Sequence, residues 1–189
     1  MKTTNIMIVG VGGQGSLLAS KLLGNLLSDV GYDVKVSEVH GMSQRGGSVV
    51  TYVRFGERVY SPIVDLGEAD FIVSFEKIEA ARYAAYLKTD GKIIVNTQEI
   101  EPMPVITGAA EYPHCAIDNL TSLGLSVDAI DALTPAIEAG SAKAVNIVLM
   151  GRLSKYMDIP EEKWIEAIKK SVAPRFCEMN LKAFMLGRN

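Results

Sequence analysis

Two hydrophobic periods run along this chain, and the change from one to the other divides it. Asn5 to Val9 is a largely apolar run rich in β-branched residues, which predicts a strand buried on both faces. After the glycine-rich hexad Gly10-Val11-Gly12-Gly13-Gln14-Gly15, Leu18, Leu22, Leu26 and Leu27 recur at helical spacing, and Gly31 stands where a C-terminal cap belongs. Asp33 to Val39 reads as a second strand. The chain thus opens as a strand–helix–strand unit, which favours a right-handed crossover between parallel strands.

A polar, glycine-rich loop, His40 to Gly47, leads into Ser48 to Phe55, where period-two alternation and β-branching predict a strand; Gly56-Glu57 then turns toward a short hairpin partner at Arg58 to Tyr60. Phe71 to Phe75 reads as a buried strand, Lys77 to Leu87 as a helix, Asp90-Gly91 as a turn and Lys92 to Asn96 as a further strand. Thr97 to Tyr112, with Pro102 and Pro104, is the least regular part, with a short strand expected at Val105 to Thr107, and Ser126 to Ala132 is the last strand. From Ala139 the period is helical only. Ala142, Val145, Leu149, Leu153 and Tyr156 mark one helix. Pro160-Glu161-Glu162 starts another, with Trp164, Ile165, Ile168 and Val172 on its buried side and Pro174 as its end, and a last helix from Phe176 stops at Gly187. The pattern predicts one α/β domain over residues 1–189: a Rossmann-like, open, mostly parallel sheet flanked by helices, with a helical extension from about residue 140.

Composition narrows the chemistry. The 189 residues are 48% apolar and 22% charged, an ordinary globular mixture. The formal charge of −3 speaks against a globally basic nucleic-acid binder. Cys115, Cys177, His40 and His114 are the only cysteines and histidines, too few for an iron–sulfur cluster and a poor supply for a soft-metal site. The start carries no signal-peptide pattern and no run approaches the ~18 apolar residues of a membrane span, so a cytoplasmic location is expected.

Two glycine loops could carry function. Gly10, Gly12 and Gly15 satisfy G-x-G-x-x-G after a strand and before a helix, and Gly13 and Gln14 complete the loop. Glycine lets backbone approach a pyrophosphate, which the helix N-terminus attracts. Glu38 follows at about the 20-residue spacing of a ribose-binding acid. The motif by itself serves dinucleotide binding and tight strand-to-helix packing equally well. The second loop, Gly41-Met42-Ser43-Gln44-Arg45-Gly46-Gly47, offers a guanidinium fork for phosphate or carboxylate and neutral donors in Ser43 and Gln44. Both loops follow the carboxyl ends of strands, the edge where open α/β sheets bind ligands. Asn96 and Thr97 end a strand at that edge and are candidates for a polar contact there.

Together, Gly10 to Gly15, Glu38 and Gly41 to Gly47 with Ser48-Val49 resemble the gamma-type domain of the 2-oxoacid:ferredoxin oxidoreductases, over essentially the whole chain and most closely in the branch using aryl 2-oxoacids such as indolepyruvate. The resemblance implies a subunit of an enzyme converting a 2-oxoacid, coenzyme A and oxidised ferredoxin to acyl-coenzyme A, carbon dioxide and reduced ferredoxin. It places thiamine diphosphate and the iron–sulfur clusters in a large alpha subunit, with no catalytic residue and no metal in this chain. Thr89 precedes Asp90-Gly91, so no Gly-Asp-Gly thiamine motif is found there. The loops are then expected to contact that partner, with coenzyme A as a candidate ligand at the same seam, and without the partner the chain is free to self-associate. The rival readings are a stand-alone NAD(P)-binding oxidoreductase and a non-enzymatic nucleotide-binding assembly factor.

Overall fold

A computed structural model describes residues 3–40 and 47–189. In chain order the elements are β1 (Thr4–Val11), α1 (Ser16–Asp29), β2 (Asp33–His40), β3 (Ser48–Gly56), β4 (Ala69–Ser74), α2 (Lys77–Tyr83), β5 (Leu87–Asn96), α3 (Met103–Ile106), α4 (Ala116–Ser122), β6 (Ser126–Ile130), α5 (Leu133–Ala139), α6 (Val145–Ser154), α7 (Glu161–Ser171) and α8 (Cys177–Arg188). The six strands form one sheet in the order β2-β3-β1-β4-β5-β6. β1, β4, β5 and β6 are parallel, while β3 is antiparallel to both its neighbours. The Rossmann-like, mostly parallel sheet with C-terminal helices is therefore as expected.

Alternate residues of each strand feed two cores. Ile6, Ile8, Val53, Val73, Phe75 and Ile94 pack under α1, α6, α7 and α8, whereas Met7, Val9, Val50, Ile72, Ile93 and Val95 pack under α2 and α4. The opening unit departs from expectation in one respect: β2 does not lie beside β1, because β3 pairs with both. β3 is buried on both faces from Val49 to Val53, whereas Val36 and Val39 of β2 are 42% and 48% exposed. The more apolar strand takes the interior place and the more polar one the edge.

Other differences are local. Arg58 to Tyr60 forms no hairpin strand; the Val59 N–H instead donates to Asp33 Oδ2 at 2.8 Å. Asp90-Gly91 bends the chain within β5, where pairing jumps from Ala69–Leu87 to Phe71–Lys92. A Cβ on Gly91 would lie 2.7 Å from the Ala69 carbonyl oxygen, so the bulge requires glycine. The expected strand at Val105 is helix α3, with Pro102 at its N-cap and Pro104 in its first turn. The short helices α4 and α5 have too few periodic apolar positions to stand out. α7 ends at Ser171, before Pro174, and Gly187 lies inside α8.

The edge strand β6 is tied to α6 by a half-buried ion pair. Asp128 accepts two hydrogen bonds from Arg152, at 2.7 and 2.9 Å, and one from the Tyr156 hydroxyl at 2.6 Å. Burial pushes the Asp128 carboxyl up, but the Arg152 and Tyr156 hydrogen bonds outweigh it and hold the group below the ordinary aspartate range. Asp128→Ala is expected to cost about 1 kcal/mol at neutral pH, since the half-buried Arg152 guanidinium loses its carboxylate while the exposed Tyr156 hydroxyl can turn to water. A lowered folded-state pKa stabilises above the unfolded value and that stabilisation is lost as pH falls through the folded one. Denaturant melts of the two proteins should therefore converge in acid; a constant gap would refute the assignment.

Candidate ligand site at the glycine loop

The first glycine loop is held from inside. The Gln14 side chain accepts from the Val11 N–H at 2.7 Å and donates to the Phe75 carbonyl at 3.0 Å, tying the loop to the end of β4. Gly10 must be small because a Cβ there would lie 2.8 Å from Gln14 Oε1 and 3.0 Å from Phe75 Cβ. Gly13 and Gly15 have φ of +100° and +88°, conformations L-residues rarely adopt. A Cβ on Gly13 would meet nothing within 4 Å, whereas one on Gly15 would lie 2.6 Å from Asn146 Nδ2, which donates to the Gly15 carbonyl at 3.1 Å. Gly15 caps α1 with no side-chain bond, and the first turn holds no acidic residue, so the helix leaves its partial positive charge unneutralised.

Beside this loop lies an open cleft of about 510 Å³, lined by Gly13, Gln14 and Gly15, by Gln98 and Ile100 from the segment after β5, by Lys143 just before α6 and by Asn146 in its first turn. Gly10 to Gly15 are brought to one edge as expected, and Gly47 joins them: the Gly12 N–H donates to the Gly47 carbonyl at 2.9 Å. Gly41, Met42, Ser43, Gln44, Arg45 and Gly46 lie outside the described residues. Glu38 does not line the cleft; its carboxylate accepts from the Ser20 hydroxyl at 2.8 Å, within α1. Gln98, Lys143 and Asn146 were not legible as site residues, because no local motif links them to a loop as much as 131 positions away.

The strand ends beneath the cleft are cross-stitched. Asn96 donates to the Phe75 carbonyl at 3.2 Å and accepts from the Ala132 N–H at 3.0 Å, so this buried amide braces β4, β5 and the chain leaving β6. Glu76, 1% exposed, caps α2 by accepting from the Glu79 N–H at 3.1 Å. Its other oxygen accepts from the Ile100 N–H at 3.2 Å and from the Tyr112 hydroxyl. Burial, then that hydrogen bond to a carboxylate, pushes the Tyr112 phenol well up. Glu79 accepts from Ser48 Oγ and pairs with Arg82 at 3.1 Å. Nearer solvent, the Lys77 ammonium and then the His114 ring hold the Glu99 carboxyl below the ordinary glutamate range. Among the described residues, no three His, Cys, Asp or Glu side chains are grouped to hold a metal ion, and no helix is long and apolar enough to cross a membrane.

Comparison with known proteins gives this geometry a lineage. The family model for pyruvate ferredoxin/flavodoxin oxidoreductase matches residues 5–189. The chain is 47% identical to indolepyruvate oxidoreductase subunit IorB of Thermococcus kodakarensis, over 99% of this chain and 95% of that one. In fold it is similar to the gamma subunit of the keto/oxoacid ferredoxin oxidoreductase of Geobacter sulfurreducens, with a TM-score of 0.73 at 22% identity, covering 97% of this chain and 95% of that one. A 2-oxoglutarate:ferredoxin oxidoreductase from Magnetococcus marinus has the same fold within a longer polypeptide: the TM-score is 0.76 at 20% identity, over 100% of this chain and 31% of that one. The resemblance read from the two glycine motifs is borne out: the chain belongs to the pyruvate ferredoxin/flavodoxin oxidoreductase family.

Proposed function

We propose that the chain is the small subunit of an oxidoreductase that decarboxylates an aryl 2-oxoacid such as indolepyruvate, passing the acyl group to coenzyme A and the electron pair to ferredoxin. The observation that carries this reading is near-full-length similarity at 47% identity to a subunit named for indolepyruvate. Thiamine diphosphate, which would form the carbanion, and the iron–sulfur clusters belong in this reading to the large partner subunit. The donor set here does not suit a cluster: Cys115, just before α4, and Cys177, at the start of α8, are the only thiols, and among the described residues no further metal ligands are grouped around either.

Coenzyme A suits the cleft better. Backbone around Gly13 and Gly15, the uncapped start of α1 and the Lys143 ammonium would receive its phosphates. Gly47 sits against Gly12, which supports the second loop's taking part at the same seam with the partner. The stand-alone dinucleotide reading has less support, since β3 separates β2 from β1 and the Glu38 carboxylate is engaged by Ser20.

Partner dependence tests the reading. Co-expressed with a large thiamine- and cluster-bearing subunit, the chain should yield coenzyme A-dependent dye reduction with indolepyruvate, and neither subunit alone should do so. Dye reduction by the isolated chain would overturn the proposal.

A further inference from the structure

We propose that Glu76 is a positioning residue for the cleft, gathering both limbs of the segment 97–115 onto the end of β4 and so setting where Gln98 and Ile100 stand in the cleft wall. The inference rests on the reading above that coenzyme A occupies this cleft.

The segment leaves β5 at Thr97, passes through α3 and returns through Tyr112 and His114. Residues 103–111 are mostly exposed, so little core packing fixes the excursion. Polar contacts near its two ends fix it instead: toward solvent Glu99 of the outgoing limb pairs with His114 of the returning one at 3.0 Å, and beneath them the buried contacts converge on one carboxylate. A single Glu76 oxygen accepts from the outgoing limb, through the Ile100 N–H, and from the returning limb, through the Tyr112 hydroxyl. Its other oxygen anchors the same side chain to the start of α2. The Lys77 N–H donates to the Gln98 carbonyl at 3.3 Å, and Asn96 donates to Gln98 Oε1 at 3.3 Å, so the outgoing limb is also tethered where it enters the cleft wall. A carboxylate 1% exposed and bound by three donors has few alternative placements, because any movement would leave it desolvated and unpaired. Phe75, the preceding residue, takes the Gln14 hydrogen bond from the glycine loop. Two neighbouring residues thus hold two parts of the cleft wall: Phe75 the glycine loop, Glu76 the segment after β5.

A residue acting in this way should alter ligand affinity and leave turnover alone. In the assembled complex with the partner subunit, Tyr112→Phe and Glu76→Ala are expected to raise KM for coenzyme A by about threefold and about tenfold, the loss of one hydrogen bond and of the whole anchor. kcat should stay within about twofold, since no group of the reaction is removed. KM for the 2-oxoacid should not move. Glu76→Gln keeps an acceptor for Ile100 and Tyr112 and should recover most of the affinity lost in Glu76→Ala. Tyr112→Phe keeps the fold and is the decisive variant should Glu76→Ala fail to assemble. Lys143→Ala, elsewhere in the cleft lining, tests the cleft independently of Glu76. If it raises KM for coenzyme A while Tyr112→Phe, and Glu76→Ala where it assembles, behave as wild type, or if kcat falls in their place, Glu76 is not a positioning residue and the cleft reading stands. If none of the variants changes KM for coenzyme A, the cleft reading fails and this inference with it.

Discussion

Alanine at Gly187 is expected to cost the fold about 3 kcal/mol or more, among the largest single-residue losses available in this chain. A Cβ built there lies 2.0 Å from the Val148 carbonyl oxygen and 2.7 Å from its carbon. The clash is with α6 backbone, which no rotamer can relieve. Gly151 is the reciprocal case: its Cβ would sit 2.2 Å from the Phe184 carbonyl oxygen of α8. The two glycines let α6 and α8 approach with backbone against backbone, and α6 in turn supplies Ile147, Leu149 and Met150 to the core under the sheet. Separating the helices by the width of a methyl group would loosen that whole face. Gly24, in the interior of α1, is the control. Its Cβ would meet only Val36 Cγ2 at 3.8 Å, so Gly24→Ala should be neutral or add up to about 1 kcal/mol through helix propensity. Urea denaturation of the three variants reads the difference directly. A Gly187→Ala protein as stable as Gly24→Ala would refute the packing argument.

The same glycine shows where sequence reading reaches its limit. Near a chain end, after a periodic helical run, glycine ordinarily marks a C-cap, and Gly31 does so at φ +100°. Gly187 has the same local surroundings but is fixed by a carbonyl nearly forty positions earlier, and nothing local encodes that. The inserted strand is a similar case. Ser48 to Phe55 announces itself as a strand, and its two apolar faces are visible, but the order of strands in the sheet depends on which strand buries best against which. Spacing along the chain placed Glu38 as a dinucleotide site would have it, while the sheet gave it Ser20 as a partner. The glycine loop was legible because it is local: strand, tight turn and helix start all fall within a dozen residues. Lys143, Asn146, Gln98 and the Glu76 anchor were not, because the chain's later turns bring them to that edge from three separate segments.

Gly13 and Gly15 give the second large effect, and they separate a ligand site from a mere packing device. At Gly13, alanine carries only the backbone strain of a φ near +100°, about 1 to 2 kcal/mol, since its Cβ would meet nothing within 4 Å. Gly13 is exposed and lines the cleft. If phosphate oxygens come down onto this backbone, the added methyl group takes their place. Gly13→Ala should then raise KM for coenzyme A in the assembled enzyme by about tenfold or more while the fold survives. Gly15→Ala combines a φ of +88° with a Cβ 2.6 Å from Asn146 Nδ2, so it displaces the amide that braces the start of α1. It should lower both stability and coenzyme A affinity. The packing account predicts a different pair of outcomes: both variants lose stability in proportion to strain, and KM for coenzyme A is unchanged in each. Melting curves beside initial rates on the same preparations decide between them. Gly13 is the sharper of the two positions, because in the structure no atom lies within 4 Å of the side chain it would gain.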